Sequence, residues 1–116
     1  MIALLKTNPA EAATCPVMNP FDGTVTGQVP VTRPEDLPEI MARATKGQSI
    51  ARALPRHRRA HILETAAALI GARAEGFARQ ITAEAGKTIR QARKEVTRCI
   101  NTLKLSAEEA KRGAGE

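Results

Sequence analysis

Aromatic side chains are nearly absent from this 116-residue sequence, which has two Phe and neither Tyr nor Trp. One aromatic side chain normally buries about 150–250 Å², so this chain must build its core from smaller groups. Apolar residues make up 42% of the chain, and alanine is the commonest of them. Leu, Ile and Val recur at regular spacing, which argues against disorder. We therefore expect a helical chain that packs weakly by itself.

Cysteine and long apolar runs are also scarce. Two Cys in 116 residues exclude a disulfide scaffold and fit a reducing compartment. No run approaches the roughly 20 apolar residues that a membrane span requires. The apolar start of the chain, residues 1–5, is too short for a signal peptide and its charge follows the apolar run. The sequence predicts a soluble, cytoplasmic protein.

Positive charge is concentrated in the second part of the chain. The net charge is +6, yet residues 1–42 hold two basic and five acidic side chains. The densest basic stretch has no acidic residue and contains Arg52, Arg56, His57, Arg58, Arg59 and His61. Such a stretch is either a phosphate-binding footprint or a solvated helix face. Because no aromatic residues or zinc-finger spacing accompany it, we favour the solvated face over nucleic-acid binding.

The sequence predicts a lead-in arm over residues 1–18 and a hairpin over about residues 15–31. Asn19-Pro20 and Asp22-Gly23 are strong turn signals. The residues from Thr24 to Val29 alternate β-branched and small side chains, as strands do.

From residue 32 the apolar period changes from two to 3.6 and predicts helices over about 36–46, 55–72, 75–85 and 88–112. Overlapping capping boxes begin at Thr32 and Asp36, and Gly47 is expected to end the first helix. Pro55 suits the first position of the second helix, Gly86 the end of the third, and a third capping signature starts at Thr88. The fold class is mainly α, with residues 19–116 forming one helical segment after the arm.

The helical spacing predicts which side chains face the core. On the first helix they are Leu37, Ile40, Met41 and Ala44, and on the second Ile62, Leu63, Ala66, Leu69 and Ile70. On the third they are Phe77, Ile81 and Ala85, and on the last Ala92, Val96, Cys99, Leu103, Ala107 and Ala110.

No motif in the sequence amounts to an active site. Cys15 has no base at readable spacing, and Cys99 falls on the predicted apolar seam, where a thiol is usually inert. His57 and His61 could share a metal-binding face, but no further ligand accompanies them. Gly86-Lys87-Thr88 lacks the earlier glycine of a phosphate-binding loop. We therefore assign no catalytic, cofactor-binding or metal-binding residue.

The order of several weak motifs nevertheless resembles a known family, from about Val17 to Arg112. The motifs are Asn19-Pro20 with Gly23, Val29-Pro30, Glu35-Asp36, Leu54-Pro55 with Arg59 and Ile62-Leu63, Glu84-Ala85-Gly86-Lys87 with Ala92 and Glu95, and Ala107-Glu108-Glu109-Ala110. This set is similar to the N-terminal segment of the aldehyde dehydrogenase superfamily. The sequence departs from the family pattern at Gln48 and Ala51, where an aromatic pair is usual, and at Ala85, where Thr is usual.

The resemblance implies a parent enzyme that oxidises an aldehyde through a thiohemiacetal on Cys and passes hydride to NAD or NADP. The family's nucleophilic Cys, general-base Glu, oxyanion-holding Asn and Rossmann-like cofactor domain lie beyond the matched segment, so none carries over to this chain. Some members bind an alkali cation at positions that correspond to the backbone of Val17 or Met18 and to Glu84.

The sequence therefore permits two interpretations of what the chain does. In the first, the chain is an inactive N-terminal segment of an NAD(P)-dependent aldehyde dehydrogenase, and its partners are the rest of that fold or further copies of itself. The alternative is a stand-alone basic helical module that binds an acidic protein or nucleic acid.

Overall fold

The structure, a computed structural model, describes residues 13–112. A two-stranded antiparallel hairpin is followed by one 3-10 turn and four helices, which confirms the predicted fold class. Most of the predicted arm lies outside the described residues. The elements are β1 (Thr14–Met18), β2 (Val25–Pro30), the 3-10 turn (Pro34–Asp36), α1 (Leu37–Ala53), α2 (Arg56–Gly71), α3 (Ala74–Ala85) and α4 (Ile89–Arg112).

The hairpin is closed by side chains of its own turn. Asn19 Oδ1 accepts a hydrogen bond from the Phe21 backbone N–H at 3.0 Å, and Asp22 Oδ1 accepts one from the Thr24 N–H at 3.0 Å. Gly23 has φ +71°, which glycine adopts at little cost. The hydrogen bonds from Thr24 hold the pKa of Asp22 below its usual value. The D-G signal thus acts as predicted.

The first helix is longer than the sequence predicts, because α1 continues through Gly47 to Ala53. A glycine inside a helix costs about 1 kcal/mol relative to Ala but does not end the helix unless its backbone turns left-handed. Among the described residues only Gly23 and Gly86 do so. α1 ends instead at Ala53, because the next residue, Leu54, precedes Pro55 and is extended, as residues before proline usually are.

The start of this helical region also differs from the predicted capping boxes. Arg33 rather than Thr32 is the N-cap of the 3-10 turn, and its backbone N–H donates to Asp36 Oδ2 at 3.3 Å. Asp36 is the N-cap residue of α1, as predicted, but its side chain makes no capping hydrogen bond to that helix. The Arg33 guanidinium donates to the same carboxylate at 3.1 and 3.2 Å, and these bonds lower the pKa of Asp36. The Asp36 N–H donates to the Arg33 backbone carbonyl at 3.0 Å rather than to a threonine hydroxyl, and the bidentate pair of Arg33 with Asp36 holds the turn.

The core lies where α4 packs against α2 and α3, as their contacts show. Its fully buried side chains are almost all alanine, and each is at most 4% exposed: Ala60, Ala67, Ala78, Ala92, Val96 and Ala107. Half-buried Ile70, Phe77, Ile81, Ile89 and Ile100 surround the centre of this cluster. Alanine at the contact lets helices approach closely but buries little area per residue.

The predicted stripes are rotated from the buried faces by part of a turn. On α2, Ala60 and Ala67 are buried, whereas Ile62 and Leu69 are more than half exposed. On α3, Ala78 is buried in place of Ala85, which is exposed. The predictions followed the largest side chains, but the closely packed positions belong to the small ones.

The prediction of which α4 side chains face the core is correct except at one position. Cys99 is exposed, and Ile100 packs against the core in its place. At about 100° per residue, Ile100 lies 40° from Val96 and Cys99 lies 60° away on the other side. Because the partner helices lie on the Ile100 side, the thiol points to solvent.

Candidate functional site

The connection between α3 and α4 is closely packed against the turn of the hairpin. Gly86 ends α3 with φ +66°, and its N–H donates to the Thr82 carbonyl at 3.0 Å. A Cβ added at Gly86 would lie 2.9 Å from Pro20 Cγ, so the hairpin turn packs directly on this glycine. The Thr88 hydroxyl accepts from the Gln91 N–H at 3.3 Å and caps α4, as predicted. Two distant motifs, Asn19-Pro20 and Gly86-Lys87, therefore meet.

An open pocket of about 320 Å³ lies beside this connection. Lys87 Nζ donates to Glu95 Oε1 across its floor, and this bond lowers the pKa of Glu95. The lining residues are Lys87, Gln91, Lys94, Glu95 and Arg98. The pocket is positively charged but contains no thiol, hydroxyl nucleophile or histidine.

Two further ion pairs join the helices. Arg93 on α4 donates two hydrogen bonds of 2.9 Å to the Glu75 carboxylate on α3, and Lys111 donates to Glu64 on α2 at 2.5 Å. Each bond to its basic partner lowers the pKa of the glutamate. Sequence reasoning missed both pairs because their partners are 18 and 47 residues apart.

The residues considered for chemistry do not come together. Cys15 lies on β1 and Cys99 on α4, and both are free and exposed. His57 and His61 are exposed on the first turns of α2. Within residues 13–112, no three His, Cys, Asp or Glu side chains are grouped closely enough to bind a metal.

The cation site that the resemblance implies stays a prediction. Glu84 is near the end of α3, where its carboxylate accepts a hydrogen bond from Gln80 at 2.8 Å. The contact between Pro20 and Gly86 brings the Asn-Pro step towards this end of α3.

The described residues do not fit a dinucleotide cofactor. Such a site needs parallel strands joined by helices, with a glycine-rich turn leading into a helix N-terminus. Between residues 13 and 112 the sheet consists of one antiparallel hairpin.

Residues 7–116 match the model of the aldehyde dehydrogenase family. The chain belongs to this family and corresponds to an N-terminal segment of its fold, as the order of motifs predicts.

The chain is similar to about one fifth of each relative. It is 58% identical over 100 residues to the aldehyde-dehydrogenase-like protein y4uC of Sinorhizobium fredii, a match covering 86% of this chain and 20% of that protein. It is 56% identical over 100 residues to aspartate-semialdehyde dehydrogenase 1 of Pseudomonas canavaninivorans, covering 86% and 21%. The solved glyceraldehyde-3-phosphate dehydrogenase GapN of Methanocaldococcus jannaschii, complexed with NADP, superposes with TM-score 0.84 at 33% identity, covering 92% and 23%.

These findings favour the first of the two functions, and the alternative of a stand-alone binding module has no support among them. None of the helices within residues 13–112 is long and apolar enough to cross a membrane.

Proposed function

We propose that this chain supplies the N-terminal part of an NAD(P)-dependent aldehyde dehydrogenase and performs no chemistry of its own. The observation that best supports this proposal is the packing of the Asn19-Pro20 turn on Gly86, which brings two family motifs together. Within the described residues, Cys15 and Cys99 are exposed on different elements, and no three His, Cys, Asp or Glu side chains are grouped together. Its contribution is therefore structural: it presents the hairpin and α4 to the rest of the enzyme.

The parent reaction is the oxidation of an aldehyde to a carboxylic acid. NADP in the complex of the similar GapN enzyme supports a nicotinamide cofactor for the whole protein. The two free thiols support a cytoplasmic location, because free cysteine is the normal state in that compartment.

The test is a chimera with the Pseudomonas canavaninivorans relative, whose matched 100-residue segment is replaced by the matching segment of this chain. We expect a folded enzyme that reduces NAD or NADP with the relative's aldehyde. The isolated 116-residue chain should give no NADH or NADPH above the rate of a heat-treated sample. Turnover by the isolated chain, or a chimera that fails to fold while the parent folds, would contradict the proposal.

A further inference from the structure

The pocket beside the connection between α3 and α4 plays no part in the proposed function. One of its walls is a single face of α4, because four of the lining residues recur at helical spacing: Gln91, Lys94, Glu95 and Arg98. Lys87, which precedes this helix, completes the lining. A volume of about 320 Å³ is at the lower end of the range, about 300–1,000 Å³, in which proteins bind small molecules. The pocket therefore has the size for a small ligand.

The charges around this pocket do not cancel. Three lining side chains are basic and one, Glu95, is acidic, which leaves a net charge of +2. Lys87 already binds the Glu95 carboxylate. Its hydrogen bond, and to a smaller extent the charge of Arg98, hold the pKa of Glu95 below its usual value. Glu95 is thus ionised, and its one negative charge leaves two positive charges uncompensated.

Lys94 and Arg98 carry this uncompensated charge. Both side chains are exposed, and neither forms an ion pair within residues 13–112. Arg93 on the same helix, by contrast, is paired with Glu75. Residues four apart on a helix are neighbours, with Cβ atoms roughly 5–6 Å apart. One ligand can therefore contact both Lys94 and Arg98.

Gln91 supplies an uncharged donor next to these cations. Its Oε1 accepts a hydrogen bond from the Thr88 hydroxyl at 3.2 Å, which leaves the amide hydrogens of its side chain to donate. Gln91 precedes Lys94 by three residues and shares its face of α4. The charged acceptor of the lining, the Glu95 carboxylate, is bound by Lys87. The pocket thus presents mainly hydrogen-bond donors, which favours a ligand rich in acceptors.

We infer that this pocket binds a doubly charged oxyanion, such as the phosphate group of a small molecule, which goes beyond the proposed function. A phosphate ester carries a charge of about −1.5 to −2 near pH 7 and so balances the excess of +2. The planar guanidinium of Arg98 can bind two of its oxygens side by side, and the Lys94 ammonium a third. Side chains form this site, whereas backbone amides surround the phosphate in a glycine-rich loop. The earlier glycine that such a loop requires before Gly86-Lys87 is therefore not needed here.

The test is a titration of the 116-residue chain with inorganic phosphate, followed by NMR of the backbone amides at constant ionic strength. At about pH 8, above the second pKa of a phosphate group, the probe is a dianion. We expect saturable shifts of the amides of residues 87–98. Residues 52–61 are an internal control, because they hold four arginines and no acidic residue but lie outside the pocket. Their amides should shift less and without saturation.

Two arginines of α4 make a matched pair of variants. Arg98 lines the pocket, whereas Arg90 is exposed on the same helix and does not line it. Arg98→Gln should weaken phosphate binding at least about tenfold, the loss expected when a charged donor is removed. Arg90→Gln removes the same charge and should leave the dissociation constant within about twofold, because salt screens a charge outside the pocket.

Glu95→Gln should act in the opposite direction. It removes the negative charge from the pocket and releases Lys87, so phosphate should bind at least about threefold more tightly. A gain of affinity cannot arise from a damaged fold. Circular dichroism of each variant checks that the helices remain.

Glycerol phosphate is the second probe: binding as tight as that of inorganic phosphate assigns the site to phosphate esters, and weaker binding assigns it to the free ion. Shifts that do not saturate, or that are equally large in residues 52–61, would overturn the inference, because they would show only the general attraction of anions to a basic chain. Equal losses from Arg98→Gln and Arg90→Gln, or weaker binding by Glu95→Gln, would do the same. A chain without helical circular dichroism would lack the helix that forms the pocket and would overturn the inference as well.

Discussion

The three-helix bundle of α2, α3 and α4 and the single helix α1 are built from the same alanine-rich sequence but are stabilised in different ways. The bundle buries six small side chains, and two interhelical ion pairs, Glu75–Arg93 and Glu64–Lys111, join its helices. α1 has neither a buried residue nor an ion pair to another helix within residues 13–112. Most of a helix's stability in a protein comes from tertiary packing rather than from helix propensity, so α1 is the less stable of the two regions.

The largest expected difference between the two regions is in their tolerance of volume. Ala92 is fully buried on α4, and Ala44 is exposed on α1. Ala92→Leu should reduce the free energy of unfolding of the isolated chain by about 1–3 kcal/mol, because the added carbons have no room. Ala44→Leu should change it by less than about 0.5 kcal/mol. Urea titration followed by circular dichroism measures both, and equal losses would mean that α1 packs as tightly as the bundle.

A second comparison concerns two glycines. Gly86→Ala should destabilise the chain by about 1–3 kcal/mol, because the position needs a left-handed backbone and the new Cβ meets Pro20. Gly47→Ala should stabilise α1 by about 0.5–1 kcal/mol, since its Cβ would meet no atom within 4 Å. Thermal melts of the two variants check these opposite signs, and a destabilising Gly47→Ala would reveal a close neighbour of α1.

Acid should weaken the bundle of α2, α3 and α4. The folded-state pKa values of Glu64, Glu75 and Glu95 are lowered from 4.5 by hydrogen bonds from Lys111, Arg93 and Lys87. A lowered carboxyl pKa stabilises the fold above the unfolded-state value, and this stabilisation is lost as pH falls through the folded-state value. Stability should therefore decline below about pH 4.5 and less steeply in Glu75→Gln.

The smallest effect expected is in thiol reactivity. Cys15 on the hairpin and Cys99 on α4 are both exposed, so a maleimide reagent should label them at rates within about tenfold of each other. Mass spectrometry of single-Cys variants measures the rates. Protection of Cys99 alone would place it back on the seam and shift the α4 register.

Much of this fold could be predicted from local signals. The Asp22-Gly23 turn, the left-handed Gly86 and the Thr88 cap all act through neighbouring residues, and each is present as expected. The bounds of α2, α3 and α4 differ from the predictions by one residue, which is the usual uncertainty of helix ends.

The errors arise where packing decides the outcome. Ile62 and Leu69 are exposed although they are large and apolar, because the helices approach at Ala60 and Ala67. The heptad pattern places Cys99 on the buried seam, but Ile100 packs there instead, because the pattern does not distinguish two positions on either side of a seam. The candidate site was predictable only through its motifs, since the contact of Pro20 with Gly86 joins segments 66 residues apart.

Hydrogen exchange of the isolated 116-residue chain, measured by mass spectrometry, tests the account most directly. It shows whether α2, α3 and α4 fold by themselves while α1 does not. The account predicts protected backbone amides in α2, α3 and α4, and amides in α1 that exchange as rapidly as in a free peptide. In the chimera with the relative, the α1 amides should become protected. Protection of α1 equal to that of α4 in a monomeric isolated chain would contradict the account.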